Sequence, residues 1–346
     1  MDNENKKTRR EFLGDVLRTG SVAAMGGLAC LGMTREAGAS ESNPQTDLIF
    51  MTEIDPEMIL YDEINKPVPT GFIEARNVTI DHSGVLYVAG DQAIKIFDSR
   101  GRIRETIELT LSPFCLVPTE TQFYIGIKDR IVITNKKGEV VNTWPSLGDT
   151  AWITSMMLAD EHIFIADAGQ RVVWCYDLHG GFVRRIGDKN LARDIPGFII
   201  PGPYFDLAMA PDGLLRVANP GRHQIEAYTI KGDREFAWGR FGNRIEDFTA
   251  CCNPVSFAIL KDGNIITCEK GVARVKVYDT FGKLKGFVAE PKQLANVSPE
   301  VGVKQERVQR YGFDVAADEV GHVYILDRAR NVLRIFKRKA KLTTFG

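Results

Sequence analysis

Residues 206–239 read DLAMAPDGLLRVANPGRHQIEAYTIKGDREFAWG, and residues 256–289 read SFAILKDGNIITCEKGVARVKVYDTFGKLKGFVA. Both stretches contain an apolar run, an Asp-Gly turn, an alternating run, a polar loop, a third apolar run, a Gly turn and a fourth run. Period-2 runs of Val, Ile, Tyr and Phe between Asp, Gly and Asn turns are typical of strands joined by hairpins. Each stretch therefore predicts four consecutive antiparallel β-strands.

The same pattern recurs through most of the chain. Its copies begin at Asn77, Cys115, Ser155, Asp206, Ser256 and Asp314. The copy at Cys115 is degenerate, since residues 119–121 replace the expected Asp-x-x-Gly turn. A spacing of about 40–55 residues with four strands per copy is the period of propeller blades. The sequence therefore predicts an all-β chain folded as a six-bladed β-propeller of four-stranded blades.

The last copy ends after its third strand, near Lys337. An unassigned strand-like run, EMILYDEI at residues 57–64, precedes the first copy. We expect this run to supply the missing outer strand of blade six, because closing the ring pairs strand edges that would otherwise be exposed. The propeller is predicted to span residues 57–339, followed by a C-terminal tail at 340–346.

The N-terminus is typical of an export signal. Residues 8–14 read TRREFLG, a Gly/Ala-rich apolar run covers 22–31, and 37–39 read AGA, a cleavage signal of small residues. The paired arginines predict a twin-arginine signal peptide at 1–39, a linker at 40–56, and a periplasmic or extracytoplasmic location. The signal is either cleaved after Ala39 or retained as an anchor. No later apolar segment is long enough to predict a transmembrane helix.

Charge argues against a nucleic-acid partner. The chain has 44 basic and 45 acidic residues, and removal of residues 1–39 leaves 38 against 40, a net charge of −2. This balance offers no basic field for nucleic acid or an anionic membrane. We expect a monomer that binds a partner protein or an anionic small molecule.

The copies resemble the NHL repeat family. The resemblance lies in the Asp-x-x-Gly turn at residues 81–84, the pair Tyr87-Val88, Asp167 followed by Arg171, and the pair Tyr278-Asp279, and it covers about residues 77–337. It implies the six-bladed fold. It specifies function poorly, because the family includes binding platforms, sensors and a few enzymes.

In such a blade, the loop between strands two and three opens on the same face as the linker that enters strand one. Cationic or imidazole side chains predicted at that face are Arg171, Arg222, His223, Lys270, Arg274 and Arg328. They predict a polar mouth that holds an anionic ligand or a peptide carboxylate. The alternative is that these side chains pair with carboxylates of neighbouring blades.

Three cysteines, Cys251, Cys252 and Cys268, are predicted at the same face. One interpretation is a disulfide, either vicinal or to Cys268, which export favours. A second is a thiolate-bound metal, although adjacent cysteines lack the usual spacing. The third is a set of inert core thiols. These alternatives remain open from the sequence.

Some propellers hydrolyse lactones or esters at a calcium ion. Asp167, Asn219, Asn253 and Glu269 are candidate oxygen ligands at the mouth. The alternative is that each is a turn residue or an ion-pair partner. The candidate cofactors are Ca²⁺ and a thiolate-bound metal, and the sequence specifies no other. The leading hypothesis is a binding or scaffold protein rather than an enzyme; the alternatives are a calcium-dependent hydrolase and a redox accessory protein that uses the cysteines.

Overall fold

The computed structural model describes residues 54–295 and 312–340. The predicted signal peptide, residues 40–53 of the linker and the tail beyond 340 lie outside these residues. The helices within them are short: 3₁₀ turns at Pro56–Met58 and Leu191–Arg193, and α1 at Pro291–Ala295. None of the helices in residues 54–295 and 312–340 has the length and apolar character needed to cross a bilayer.

The rest of the regular structure is β. In chain order the strands are β1 (Tyr61–Glu63), β2 (Val68–Pro69), β3 (Ala75–Ile80), β4 (Leu86–Gly90), β5 (Ala93–Phe97), β6 (Ile103–Glu108), β7 (Cys115–Pro118), β8 (Gln122–Gly126), β9 (Ile131–Asn135), β10 (Val140–Thr143), β11 (Ile153–Ala159), β12 (His162–Asp167), β13 (Val172–Asp177), β14 (Phe182–Ile186), β15 (Leu207–Met209), β16 (Leu215–Asn219), β17 (Gln224–Tyr228), β18 (Arg234–Trp238), β19 (Ser256–Ile259), β20 (Ile265–Glu269), β21 (Arg274–Tyr278), β22 (Leu284–Ala289), β23 (Phe313–Ala317), β24 (Val323–Asp327) and β25 (Val332–Arg338).

These strands form six antiparallel sheets, as the repeats predict. Blades 1 to 5 are β3–β6, β7–β10, β11–β14, β15–β18 and β19–β22. The first strand of each blade contacts the first strand of the next, and β23 contacts β3, so the sheets form a closed ring. The prediction of a six-bladed propeller with four-stranded blades is confirmed.

Blade 6 joins the two ends of the described chain. It consists of β23, β24 and β25, with β1 as its outer strand, and Tyr61 lies opposite Arg338. The prediction that the N-terminal run completes the last blade is confirmed, although the strand is shorter than residues 57–64. The additional strand β2 pairs with the start of β25, where Val68 lies opposite Leu333.

The core lies between the blades. Each of six apolar clusters among the described residues joins two adjacent sheets, for example Ile266 and Val275 of blade 5 with Phe313 and Val323 of blade 6. Second strands such as β4 and β24 are buried along their whole length, because both of their faces are covered. This explains their nearly continuous apolar sequences.

The turns between first and second strands explain both the motif and its degenerate copy. In blade 1, Asp81 Oδ1 accepts hydrogen bonds from the backbone N–H groups of Ser83 and Val85, and Gly84 takes a φ of +79°. In blade 2, the Thr119 hydroxyl replaces the carboxylate and accepts from the Gln122 N–H at 3.1 Å. The turn is therefore kept although the motif is lost.

Candidate functional site

The register places the predicted residues at one face of the ring. Ile153, which starts a first strand, lies opposite Asp167, which ends a second strand. The same holds for Phe313 and Asp327 in blade 6. The loops between second and third strands therefore share a face with the linkers that enter the first strands. We call it the mouth face.

A cleft of about 560 Å³ opens on the mouth face. Its lining includes three aromatic side chains, three cations and one carboxylate: Phe114, Trp152, Tyr204, Arg76, Lys270, Arg328 and Glu74. These residues come from blades 1, 5 and 6 and from the linkers that lead into blades 2, 3 and 4. We call this cleft the mouth cleft. Its lining carries a surplus of two positive charges.

Each cation of the mouth cleft lies over an aromatic ring. The Arg76 guanidinium is 4.4 Å from the centroid of Phe114, and Lys270 Nζ is 4.5 Å from that of Tyr204. The Arg328 guanidinium is 5.4 Å from the same tyrosine ring. Cations at these distances are attracted by the ring quadrupole. The rings therefore hold the positive groups in place around the cleft.

Polar contacts fix the two guanidinium groups. Arg328 donates from Nε to the Gly312 carbonyl at 3.3 Å and from Nη1 to the Arg76 carbonyl at 3.4 Å. Arg76 donates from Nη2 to Glu74 at 2.8 Å. Its Nη1 is buried and has no hydrogen-bond partner within the described part of the chain. A buried donor without a partner is costly, so an acceptor group of a ligand would be stabilised there.

A ring of six side chains lies below the mouth cleft. These are the residues that open the six copies: Asn77, Cys115, Ser155, Asp206, Ser256 and Asp314. We call this set the channel ring. Asp314 accepts from the Val78 N–H at 2.8 Å, and Asp206 accepts from the Phe257 N–H at 2.9 Å. Each of these two bonds joins one blade to the next.

The channel ring is acidic. Burial, with a further contribution from the negative charge of Asp314, raises the pKa of Asp206 to about 6. Burial also raises the pKa of the Cys115 thiol. Two carboxyl groups below the cleft repel an anion, while three cations attract it above. An anionic group would therefore be favoured at the level of the cations rather than deeper in the channel.

The structure brings two of the six predicted ligand-binding residues, Lys270 and Arg328, into the mouth cleft. Arg171 is exposed in a turn with a φ of +58°. Arg222 donates from Nε to the Gly197 carbonyl at 3.5 Å. His223 Nε2 lies 3.0 Å from the Ala250 carbonyl oxygen. Arg222 and His223 therefore contact the linkers that lead into blades 4 and 5.

Arg274, also predicted as a ligand-binding residue, is buried in an ion cluster. It donates from Nη2 to Glu269 Oε2 at 2.8 Å and to the Thr249 hydroxyl at 2.8 Å. Lys276 Nζ lies 2.7 Å from Glu269 Oε1. Burial lowers the pKa of Lys276 to about 8, against the opposing effect of the Glu269 carboxylate. The charges of Arg274 and Glu269 therefore compensate each other inside the protein.

The other candidate metal ligands also have protein partners. Asp167 accepts from the Trp152 N–H at 2.9 Å and from the Trp174 indole at 3.1 Å. Asn219 accepts from the Ile199 N–H and donates to Glu226. Asn253 accepts from the Lys270 N–H at 2.9 Å. Within residues 54–295 and 312–340, no group of three or more His, Cys, Asp or Glu side chains is arranged to hold a metal ion.

Two of the three cysteines are in contact. The sulfurs of Cys251 and Cys252 are 2.7 Å apart; Cys251 is exposed and Cys252 is buried. Burial and the neighbouring Cys251 raise the pKa of Cys252 to about 11. Cys268 lies in the apolar cluster between blades 5 and 6. The structure therefore places Cys268 in the core, whereas the adjacent pair lies in the linker that leads into blade 5.

Sequence reasoning missed five of the seven side chains named for the mouth cleft: Glu74, Arg76, Phe114, Trp152 and Tyr204. Each lies within three positions ahead of the residue that opens its copy. An aromatic residue at this place in three successive copies was the available signal. It could have been found by aligning the linkers as well as the strands.

No model of a known protein family matches the sequence, and no curated protein matches it. The fold of the chain is similar to that of solved structures. A streptogramin B lyase structure aligns with a TM-score of 0.51 at 12% identity, over 82% of this chain and 100% of that one. A selenomethionine-substituted virginiamycin B lyase from Staphylococcus aureus aligns with a TM-score of 0.50 at 12% identity, over 81% and 99%. At this identity the likeness concerns the fold, a six-bladed β-propeller.

Proposed function

We propose that this chain is an exported, NHL-type propeller that binds an anionic small molecule carrying an aromatic ring in its mouth cleft. One observation carries the proposal: Arg76, Lys270 and Arg328 converge with three aromatic side chains around one cleft. The cations would bind the anionic group of the ligand, and the rings would pack against its flat part.

The dimensions and charge of the cleft support this proposal. Its volume of about 560 Å³ lies within the range of small-molecule pockets. The buried Arg76 Nη1 offers a hydrogen-bond donor that the described residues leave without an acceptor. The acidic channel ring below disfavours deeper entry of an anion. Together these features favour a carboxylate or sulfonate bound at the rim, with its ring between the aromatic side chains.

Export is the second part of the proposal. It rests on the paired Arg9 and Arg10, the short apolar run and the small residues at 37–39. Exchange of both arginines for Lys should leave the protein in the cytoplasmic fraction. Recovery of this variant in the exported fraction would contradict the assignment.

The binding proposal can be tested with 8-anilinonaphthalene-1-sulfonate (ANS), an aromatic sulfonate whose fluorescence rises when it leaves water. We expect saturable binding to the folded protein. Arg328→Ala should weaken this binding about tenfold, or about 1.4 kcal/mol, because it removes a charged donor from the cleft. Lys270→Ala should weaken it to a similar degree. Added salt should also weaken the binding.

Lys136 provides a matched control. Its ammonium group lies 4.2 Å from the centroid of Phe123, so it also stacks on a ring. It belongs to the turn between β9 and β10, on the face opposite the mouth. Lys136→Ala should leave ANS affinity unchanged. Equal affinity for Lys136→Ala, Lys270→Ala and Arg328→Ala, with all three folded by thermal melting, would reject the mouth cleft as the binding site.

A further inference from the structure

The linker segment 249–253 carries two adjacent free cysteines beside the mouth cleft. The sulfurs of Cys251 and Cys252 are in contact at 2.7 Å. Cys251 is exposed, so a reagent in solution can reach it, whereas Cys252 is only 7% exposed. An exposed thiol next to a second, shielded thiol is the arrangement of an attacking cysteine with its resolving partner.

This segment also holds a residue of the mouth cleft. The Asn253 amide oxygen accepts from the Lys270 N–H at 2.9 Å, and its amide nitrogen donates to the Lys270 carbonyl at 3.0 Å. A Cβ added to Gly271 would lie 3.0 Å from Ala250 Cβ, so the segment packs directly against the loop that follows β20. Lys270 is therefore anchored through its backbone by the residue that follows Cys252.

The backbone of the segment is strained. Ala250 and Cys252 have φ values of +59° and +66°, in the left-handed region that side chains with a Cβ rarely occupy. Such a conformation is unfavourable for a residue with a Cβ and persists only where its surroundings impose it. A disulfide between residues 251 and 252 closes a small ring through their shared peptide bond, so it would change the backbone angles of Cys252, the neighbour of Asn253.

We infer that Cys251 and Cys252 form a redox-modified pair: oxidation to a vicinal disulfide displaces Asn253, and with it Lys270, and weakens ligand binding in the mouth cleft. The effect on ligand binding rests on the proposed function. The pairing of the two cysteines does not, since it follows from their contact and their difference in exposure. The oxidant is a small-molecule disulfide.

The chemistry is two successive thiol–disulfide exchanges. The Cys251 thiolate attacks one sulfur of the small disulfide, whose S–S bond breaks and releases one thiolate. The Cys252 thiol then loses its proton to solvent and attacks the Cys251 sulfur, which releases the second thiolate. Two protein thiols are oxidised and one disulfide is reduced to two thiols. The raised pKa of Cys252 assigns the first attack to Cys251.

The first arm of the test needs no ligand. The purified protein is equilibrated in reduced and in oxidised glutathione buffers, alkylated under denaturing conditions and analysed by peptide mass. We expect Cys251 and Cys252 to become protected together, with the loss of two hydrogens from their peptide. In Cys252→Ser, Cys251 should instead retain a glutathione adduct. Full alkylation of both cysteines in the oxidised wild type, or a lasting adduct on wild-type Cys251, would overturn the pair.

The second arm measures ANS affinity in the same two buffers. We expect at least a threefold loss in the oxidised wild type and none in Cys251→Ser. If the pair oxidises while the affinity stays the same, the link to Lys270 is overturned. If the reduced protein does not bind ANS at all, the proposed function is overturned, and so is the effect of cysteine oxidation on ligand binding. The pairing of Cys251 with Cys252 is decided by the alkylation result alone.

Discussion

Replacing Glu269 by Gln should destabilise the protein more than any similar change at the surface. Glu269 is fully buried between Arg274, whose side chain is 9% exposed, and Lys276, which is fully buried. Gln keeps the shape of the side chain and removes its charge. Two cations then remain inside the protein without their shared carboxylate.

The magnitude follows from the contacts that survive. Removing one partner of a buried ion pair costs about 3–5 kcal/mol. Lys276 keeps its hydrogen bonds to the carbonyls of Ile245 and Asp247, and Arg274 keeps the Thr249 hydroxyl. Because these acceptors remain, we expect the free energy of unfolding to fall by about 3 kcal/mol, the lower end of this range. With an unfolding entropy of about 2.1 cal/mol/K per residue over roughly 270 residues, the melting temperature should fall by about 5 °C.

Urea denaturation and thermal melting measure this loss. Glu319→Gln is the matched control, since Glu319 pairs with Lys261 at 3.3 Å and both side chains are about 70% exposed. That exposed pair should contribute less than about 1 kcal/mol. If Glu269→Gln unfolds at the same urea concentration as Glu319→Gln, Glu269 is not the counter-ion of a buried cluster, and its carboxylate does not neutralise Arg274.

Two further predictions concern ring closure and the channel ring. Tyr61 of the closing strand is 1% exposed, and its hydroxyl has no hydrogen-bond partner among the described residues. Tyr61→Ala should therefore lower the free energy of unfolding, measured in urea, by about 3–5 kcal/mol, because it leaves a cavity. Tyr61→Phe keeps the ring and should lower it by less than about 1 kcal/mol. Equal losses would contradict the packing of β1 in blade 6. The pKa of Asp206 is raised from 3.8 to about 6 in the folded state. Between pH 3.8 and about pH 6 the folded state therefore binds more protons than the unfolded state. The contribution of Asp206 to the free energy of unfolding falls as the pH rises through this window. Asp206→Asn should remove this part of the pH dependence of the unfolding free energy; an unchanged slope would contradict the assignment.

Much of the fold could be predicted from the sequence because each blade repeats one local pattern. The closing strand could be predicted because the last copy lacked its fourth strand, and Tyr61 does pair with Arg338. The residue at which the closing strand starts could not be predicted, because Asp55 accepts a hydrogen bond from the Glu57 N–H and caps a 3₁₀ turn at Pro56–Met58. The two-residue strand β2 is too short to show any periodicity.

The face of the candidate site could be predicted, but its composition only in part. Strand order alone places every loop between second and third strands at the mouth. It does not distinguish Lys270, which reaches the cleft, from Arg274, which is neutralised by Glu269. That difference depends on the linker at residues 245–249, which covers the ion cluster. The conformation of a linker without periodicity is set by tertiary contacts that its own sequence does not reveal.

The location of a bound aromatic anion decides whether the mouth cleft is the binding site. Crystals of the protein soaked in 4-iodobenzoate would show the iodine by its anomalous scattering. We expect a peak in the mouth cleft among Phe114, Trp152 and Tyr204, with the carboxylate directed at Arg76 and Arg328. Iodine sites confined to the opposite face or to the outer strands, with the mouth cleft unoccupied at saturating concentration, would contradict it.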